Sequence, residues 1–192
     1  MRSPLSAALL AATLLLPLSA CMEDRGSDEL PLPQVVTEDA VGHYCGMTLV
    51  DHPGPKGQII LKGSDRPVWM SSVRDTFAFT MLPEEPKDVR AIYVTDLGRA
   101  ADPANPDLTA WVEARKAWYV LGSRFRGGMG ASEPAPFADE AAAQSFAASH
   151  GGRVVRFAEV PDTAILWPEA EPAATADDGG MKHGAHPTPG AS

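Results

Sequence analysis

Between Val41 and Glu159 one apolar rhythm runs twice, which confines the chain to folds made of two like units. In the first pass, Gln58 to Leu61 and Pro67 to Met70 read as strands. Val73, Phe77 and Met81 then recur at i, i+4 and i+8, one face of a helix over 72–82. Ser72 with Asp75 resembles a capping box at its start, and Pro83 and Pro86 stop it. Arg90 to Thr95 is rich in strand formers and ends by Gly98. The proline- and aspartate-rich stretch 101–107 is a joint. In the second pass Trp118 to Leu121 is strand-like, and Ala135 to Ala138 adds a short strand. Asp139 caps a helix through His150 that turns Ala142, Ala143, Phe146 and Ala147 inward. Gly151-Gly152 terminates it, and Arg153 to Val160 is a last strand with Val155 and Phe157 alternating against Arg156. Each half is strand, strand, helix, strand. The expected fold class is α+β, with one ββαβ unit over 39–100 and a related one over 101–168.

The two ends of the chain are of another kind. Arg2 and the apolar run from Leu5 to Leu18 form an export signal over 1–20, too short to span a membrane. Leu18-Ser19-Ala20 then precedes Cys21, the pattern of a bacterial lipoprotein cleavage site, so Cys21 is expected to carry acyl chains. Met22 follows where an aspartate would signal inner-membrane retention, which predicts an outer-membrane-tethered periplasmic protein if the source is Gram-negative. Residues 21–38 read as an acidic tether and 169–192 as a disordered tail. That tail holds Met181, His183 and His186, a composition that metals favour but that often arises incidentally. The formal charge is −9, and removing residues 1–20, whose single charged residue is Arg2, makes it −10. Such acidity disfavours nucleic acid as a partner.

One pentapeptide carries most of the chemistry: His43-Tyr44-Cys45-Gly46-Met47. The chain has two cysteines, and lipid consumes Cys21, so Cys45 is left as an unpaired thiol in an oxidising compartment. Metal ligation would protect it. In an extended segment His43, Cys45 and Met47 would share a face, and thiolate with thioether selects Cu(I) over harder ions. The plainer reading is that Cys45 and Met47 are buried apolar side chains.

Other residues divide more clearly. Met70 and Met81 fall within strand and helix periodicity and belong to the core. Met129 lies in Gly127-Gly128-Met129-Gly130, either a thioether presented from a flexible loop or a lone anchor filling a gap. His52 sits in the turn Asp51-His52-Pro53-Gly54-Pro55, as a ligand near Cys45 or as a solvated turn residue. Trp69, Trp111, Trp118 and Trp167 read as packing residues.

Several of these stretches occur together and in order. Cys21, the 43–47 pentapeptide, Asp51 to Gln58, Ser72-Val73-Arg74-Asp75, Gly128-Met129-Gly130, Pro136-Phe137-Ala138, the alanine-rich helix and His150-Gly151-Gly152 resemble the NosL family of nitrous-oxide reductase accessory lipoproteins. The similarity runs from about Tyr44 to Glu159, most of the folded part. The resemblance implies a monomeric periplasmic copper chaperone that binds Cu(I). It would pass the ion to an ABC-type maturation complex and so indirectly to the reductase. It also implies two ββαβ units related in topology to an organomercurial lyase core. Carried over by position, Cys45 and Met47 are the first metal ligands and Met129 a third; His52 is a fourth candidate by proximity. The resemblance does not extend to the tail after Glu169.

Two rival classes remain at this level. A thiol-dependent enzyme would use Cys45 as nucleophile with His43 or His52 as base, although one thiol is a thin basis for such chemistry. A structural lipoprotein would bury Cys45 inert. No Ser-His-Asp motif, phosphate loop or paired-carboxylate signature stands out, so a non-enzymatic role is expected.

Overall fold

The repeat reappears in the hydrogen-bond ladders. The computed structural model describes residues 29–167; the export signal, Cys21, most of the tether and the tail with Met181, His183 and His186 lie outside them. The first half comprises β1 (Gly57–Leu61), β2 (Val68–Met70), α1 (Val73–Met81) and β3 (Val89–Thr95). After β4 (Trp111–Glu113), the second comprises β5 (Trp118–Leu121), β6 (Ala135–Phe137), α2 (Glu140–His150) and β7 (Arg153–Arg156), and α3 (Asp162–Leu166) follows. All ladders are antiparallel. One sheet has the order β2-β1-β3-β4 and the other β6-β5-β7, so in each half the first strand lies between the second and third. The fold is α+β with two ββαβ units of the same strand order.

Both principal helices begin and end where local chemistry dictates. Ser72 accepts a hydrogen bond from the Asp75 amide at the start of α1, and Asp139 accepts one from Ala142 at the start of α2. Asp75 does not complete a reciprocal box; its carboxylate accepts from the Ser71 hydroxyl instead. The first helix stops before Pro83, and the second at Gly151, whose φ of +77° suits glycine.

A single core joins the halves. Ile59, Met70, Val73, Phe77, Phe79, Ile92 and Val94 pack with Ala117, Tyr119, Leu121, Val155, Val160 and Ile165. The Phe77 ring stacks on Phe157 at 4.7 Å and meets Tyr119 edge-on at 4.9 Å. A second cluster, with Val120, Phe125, Ala135, Phe137, Ala143 and Phe146, lies between the three-stranded sheet and α2. Strand β5 is therefore buried on both faces, Tyr119 to one side and Val120 to the other. Across the first sheet, Gln58 is fully buried and exchanges two hydrogen bonds with the backbone of Gln34, which satisfies its amide.

Four expectations are corrected. The last strand ends at Arg156, because the Glu159 carboxylate takes the Arg156 amide and winds Phe157–Glu159 into a 3-10 turn. That turn, rather than strand alternation, delivers Phe157 to Phe77. Trp167 is 69% exposed and does not pack. Strand β4 and helix α3 were not foreseen: three and five residues are too short for periodicity to register. Finally, residues 43–45 form a turn, not an extended segment: Gly46 donates to the Gly42 carbonyl, and its φ is +67°.

Candidate metal centre

That turn separates residues that an extended strand would have aligned. His43 swings to Glu85, with Nε2 3.2 Å from Oε1, and its ring lies edge-on to Phe79. The Tyr44 hydroxyl donates to the same carboxylate oxygen at 2.7 Å. Burial and the Glu85 contact hold its phenol well above the usual tyrosine range. Cys45 turns inward instead. Its half-buried, unpaired thiol donates to Ser71 Oγ at 3.3 Å, and the Met47 amide lies 3.5 Å from Sγ. Met47 is half-buried, and its carbonyl accepts from Gly42 to close the turn. The fit around the sulfur is close: a Cβ at Gly42 would stand 2.7 Å from it.

From Ser71 the network continues to the other half. Ser71 Oγ donates to Asp75 Oδ2 at 3.0 Å. Asp75 lines a cavity of about 240 Å³ whose wall also includes Met129, Glu133 and Arg74. Met129 is 54% exposed at the tip of a turn closed by Gly127 N to Ala131 O and Gly130 N to Gly127 O. The loop after His52 packs on that turn, since a Cβ at Gly54 would stand 2.7 Å from the Gly128 amide. His52 itself is half-buried beside it. At this end of the molecule the loop after His52 touches the Met129 turn, and the Cys45 thiol is linked through Ser71 to Asp75, on the cavity wall that Met129 shares. His43 is tied outward to Glu85.

Two buried charges lie under these loops, and the sequence reading had missed both. Lys56 Nζ donates to the carbonyls of Pro53 and Gly54 at 2.7 Å each. Burial brings its pKa down to about 8, although Glu133 and Cys45 attract the charge. Glu133 Oε2 accepts from the Val73 amide at 2.9 Å and the Arg74 amide at 3.4 Å, at the positive end of α1. Burial nonetheless raises its pKa to about 7, and Oε1 has no hydrogen-bond partner. A lone lysine in a turn and a glutamate before a proline give no periodic signal; only their burial marks them.

Among the described residues no group of three or more His, Cys, Asp or Glu side chains is arranged to hold a metal ion. What this end offers is sulfur, the donor set of a soft monovalent ion.

The NosL family model matches residues 33–165, which include Cys45, Met47, His52 and Met129. The chain belongs to the NosL family. It is 42% identical to the copper-binding lipoprotein NosL of Achromobacter cycloclastes, over 99% of this chain and all of that one. It is 36% identical to the copper-binding lipoprotein NosL of Stutzerimonas stutzeri, over 93% of this chain and 91% of that one. Among solved structures, the crystal structure of the copper chaperone NosL from Shewanella denitrificans matches with a TM-score of 0.64 at 32% identity. That match covers 69% of this chain and 97% of the other.

Proposed function

We propose that this chain is a Cu(I) carrier whose ligands are the Cys45 thiolate and the Met47 and Met129 thioethers, with His52 at the margin of the site. The observation that carries this reading is that the Cys45 thiol is linked through Ser71 to Asp75, on the wall of the cavity that Met129 also lines. Cys45 binds as thiolate, so loading releases a proton. Thioethers are neutral and weak, so an acceptor with stronger donors can take the ion by ligand exchange. The acceptor in this proposal is an ABC-type maturation complex, and the destination is the copper centre of nitrous-oxide reductase, a denitrification enzyme. The protein itself catalyses no reaction, acts as a monomer and is held in the periplasm by lipid on Cys21, at the outer membrane. The family membership and the names of the relatives support this reading.

The test is an anaerobic Cu(I) titration against a competing chelator, with Cys45→Ser, Met47→Ala and Met129→Ala run beside the wild type. Tight one-to-one binding that collapses with Cys45→Ser and weakens with each methionine change is expected. Binding of unchanged affinity in Cys45→Ser would overturn the assignment. For the anchor, mass spectrometry of the mature N-terminal peptide from the native host should find acyl chains on Cys21; a free thiol there ends that part of the reading.

A further inference from the structure

Glu133 is buried near the candidate centre and has no part in the ligand set. Its side chain comes from just before β6 in the second half, yet Oε2 hydrogen-bonds the first two amides of α1 in the first half. Those amides follow directly on Ser71 and Ser72, and Ser71 is the hydrogen-bond partner of the Cys45 thiol. On its other side the carboxylate lies against the backbone of Gly127, where even a single methyl would collide with Oε1. Gly127 is the closing residue of the turn that carries Met129. Gly128 of that turn abuts the Pro53 carbonyl, which Lys56 holds from below.

We infer that Glu133 is a positioning residue for copper: its carboxylate ties the helix end that orients Cys45 to the turn that presents Met129. This inference rests on the copper-binding reading. Met129 sits on a glycine-rich turn that is half open to solvent, and such a turn has many conformations to lose. A fixed wall at Gly127 removes part of that freedom before the ion arrives, as supporting contacts do at other metal sites. The unpartnered Oε1 leaves room for this role, because any side chain at 127 would have to occupy its place.

The test measures the Met129→Ala penalty on Cu(I) affinity in the full chain, in three backgrounds: wild type, Glu133→Ala and Gly127→Ala. In the wild type a loss of about tenfold is expected, and in both other backgrounds less than twofold, the signature of coupled sites. Copper K-edge absorption of the loaded proteins should give one fewer sulfur neighbour in both backgrounds than in the wild type. Glu133 acting only on stability would lower the melting temperature and leave penalty and sulfur count alone. If Glu133→Ala fails to fold, Gly127→Ala, at a half-exposed loop position, carries the test. A full tenfold penalty with an unchanged sulfur count in either folded background overturns the inference. A wild type that takes up no Cu(I) instead overturns the copper reading beneath it, and a wild type that binds without any Met129 penalty removes Met129 from the site and this inference with it.

Discussion

Ser71 stands between Cys45 and Asp75: its hydroxyl accepts from the thiol at 3.3 Å and donates to the carboxylate at 3.0 Å. The sulfur is thus held at a fixed place by a residue that cannot itself bind soft metal. On loading, the sulfur gives up the proton it donates and Ser71 can turn its own O–H to the thiolate, so Ser71→Ala should keep the fold and lower Cu(I) affinity by about fivefold, the value of one hydrogen bond of about 1 kcal/mol. Competition titration checks this, and an unchanged affinity would mean that Ser71 is a bystander.

Gly42 supports the same sulfur by what it lacks. Its missing side chain leaves room for Sγ, which a Cβ would approach to 2.7 Å, and for Ser71 Cβ at 3.2 Å. Gly42→Ala should cost about 1–3 kcal/mol through crowding. It should also displace the thiol, seen as a changed rate of reaction with a thiol reagent in the native protein.

The buried glutamate gives stability a pH dependence of unusual sign. Its folded pKa of about 7 lies above the 4.5 of an unperturbed carboxyl. Between those values the folded state holds a proton that the unfolded state has released, so stability is greatest below pH 4.5 and falls as pH rises through 7. The effect is on the order of 3 kcal/mol. Lys56 acts in a different window: with a pKa of about 8 against 10.5, it adds stability as pH rises between those two values. Denaturant midpoints of the copper-free protein at pH 5 and pH 7 should differ in the wild type and coincide in Glu133→Gln.

Phe77 joins the two units. It is 1% exposed and packs between Phe157 and Tyr119, both from the second half. Phe77→Ala should cost about 3–5 kcal/mol. Because the halves share this core, denaturation should remain one transition with a shifted midpoint; two separated transitions would mean that the units are energetically independent.

What the sequence disclosed and what it hid follow from the range of each interaction. The helices over 73–81 and 140–150 were legible because cap, face and stop are all local: Ser72 with Pro83, Asp139 with Gly151. Strand β5 was legible because four consecutive residues, Trp118 to Leu121, favour strand. The Cys45 turn was misread because its shape comes from Gly42, three residues back, and from the Trp69 carbonyl that receives the His43 amide. Glu133 and Lys56 were invisible for a stronger reason. Their burial depends on two loops from opposite halves closing over them, and no local pattern encodes that.

The shared strand order of the two sheets has an engineering consequence. Met129 lies on the connection between β5 and β6, and its topological counterpart is the connection between β1 and β2, where Gly63 takes a φ of +72° and no methionine is present. One scaffold has thus been used twice, with a methionine at only one of the two hairpin tips. On the copper-binding reading, a Gly-Gly-Met-Gly segment transplanted into 62–67 would give the first half the thioether that the second half presents, a direct trial of whether the two hairpins are interchangeable.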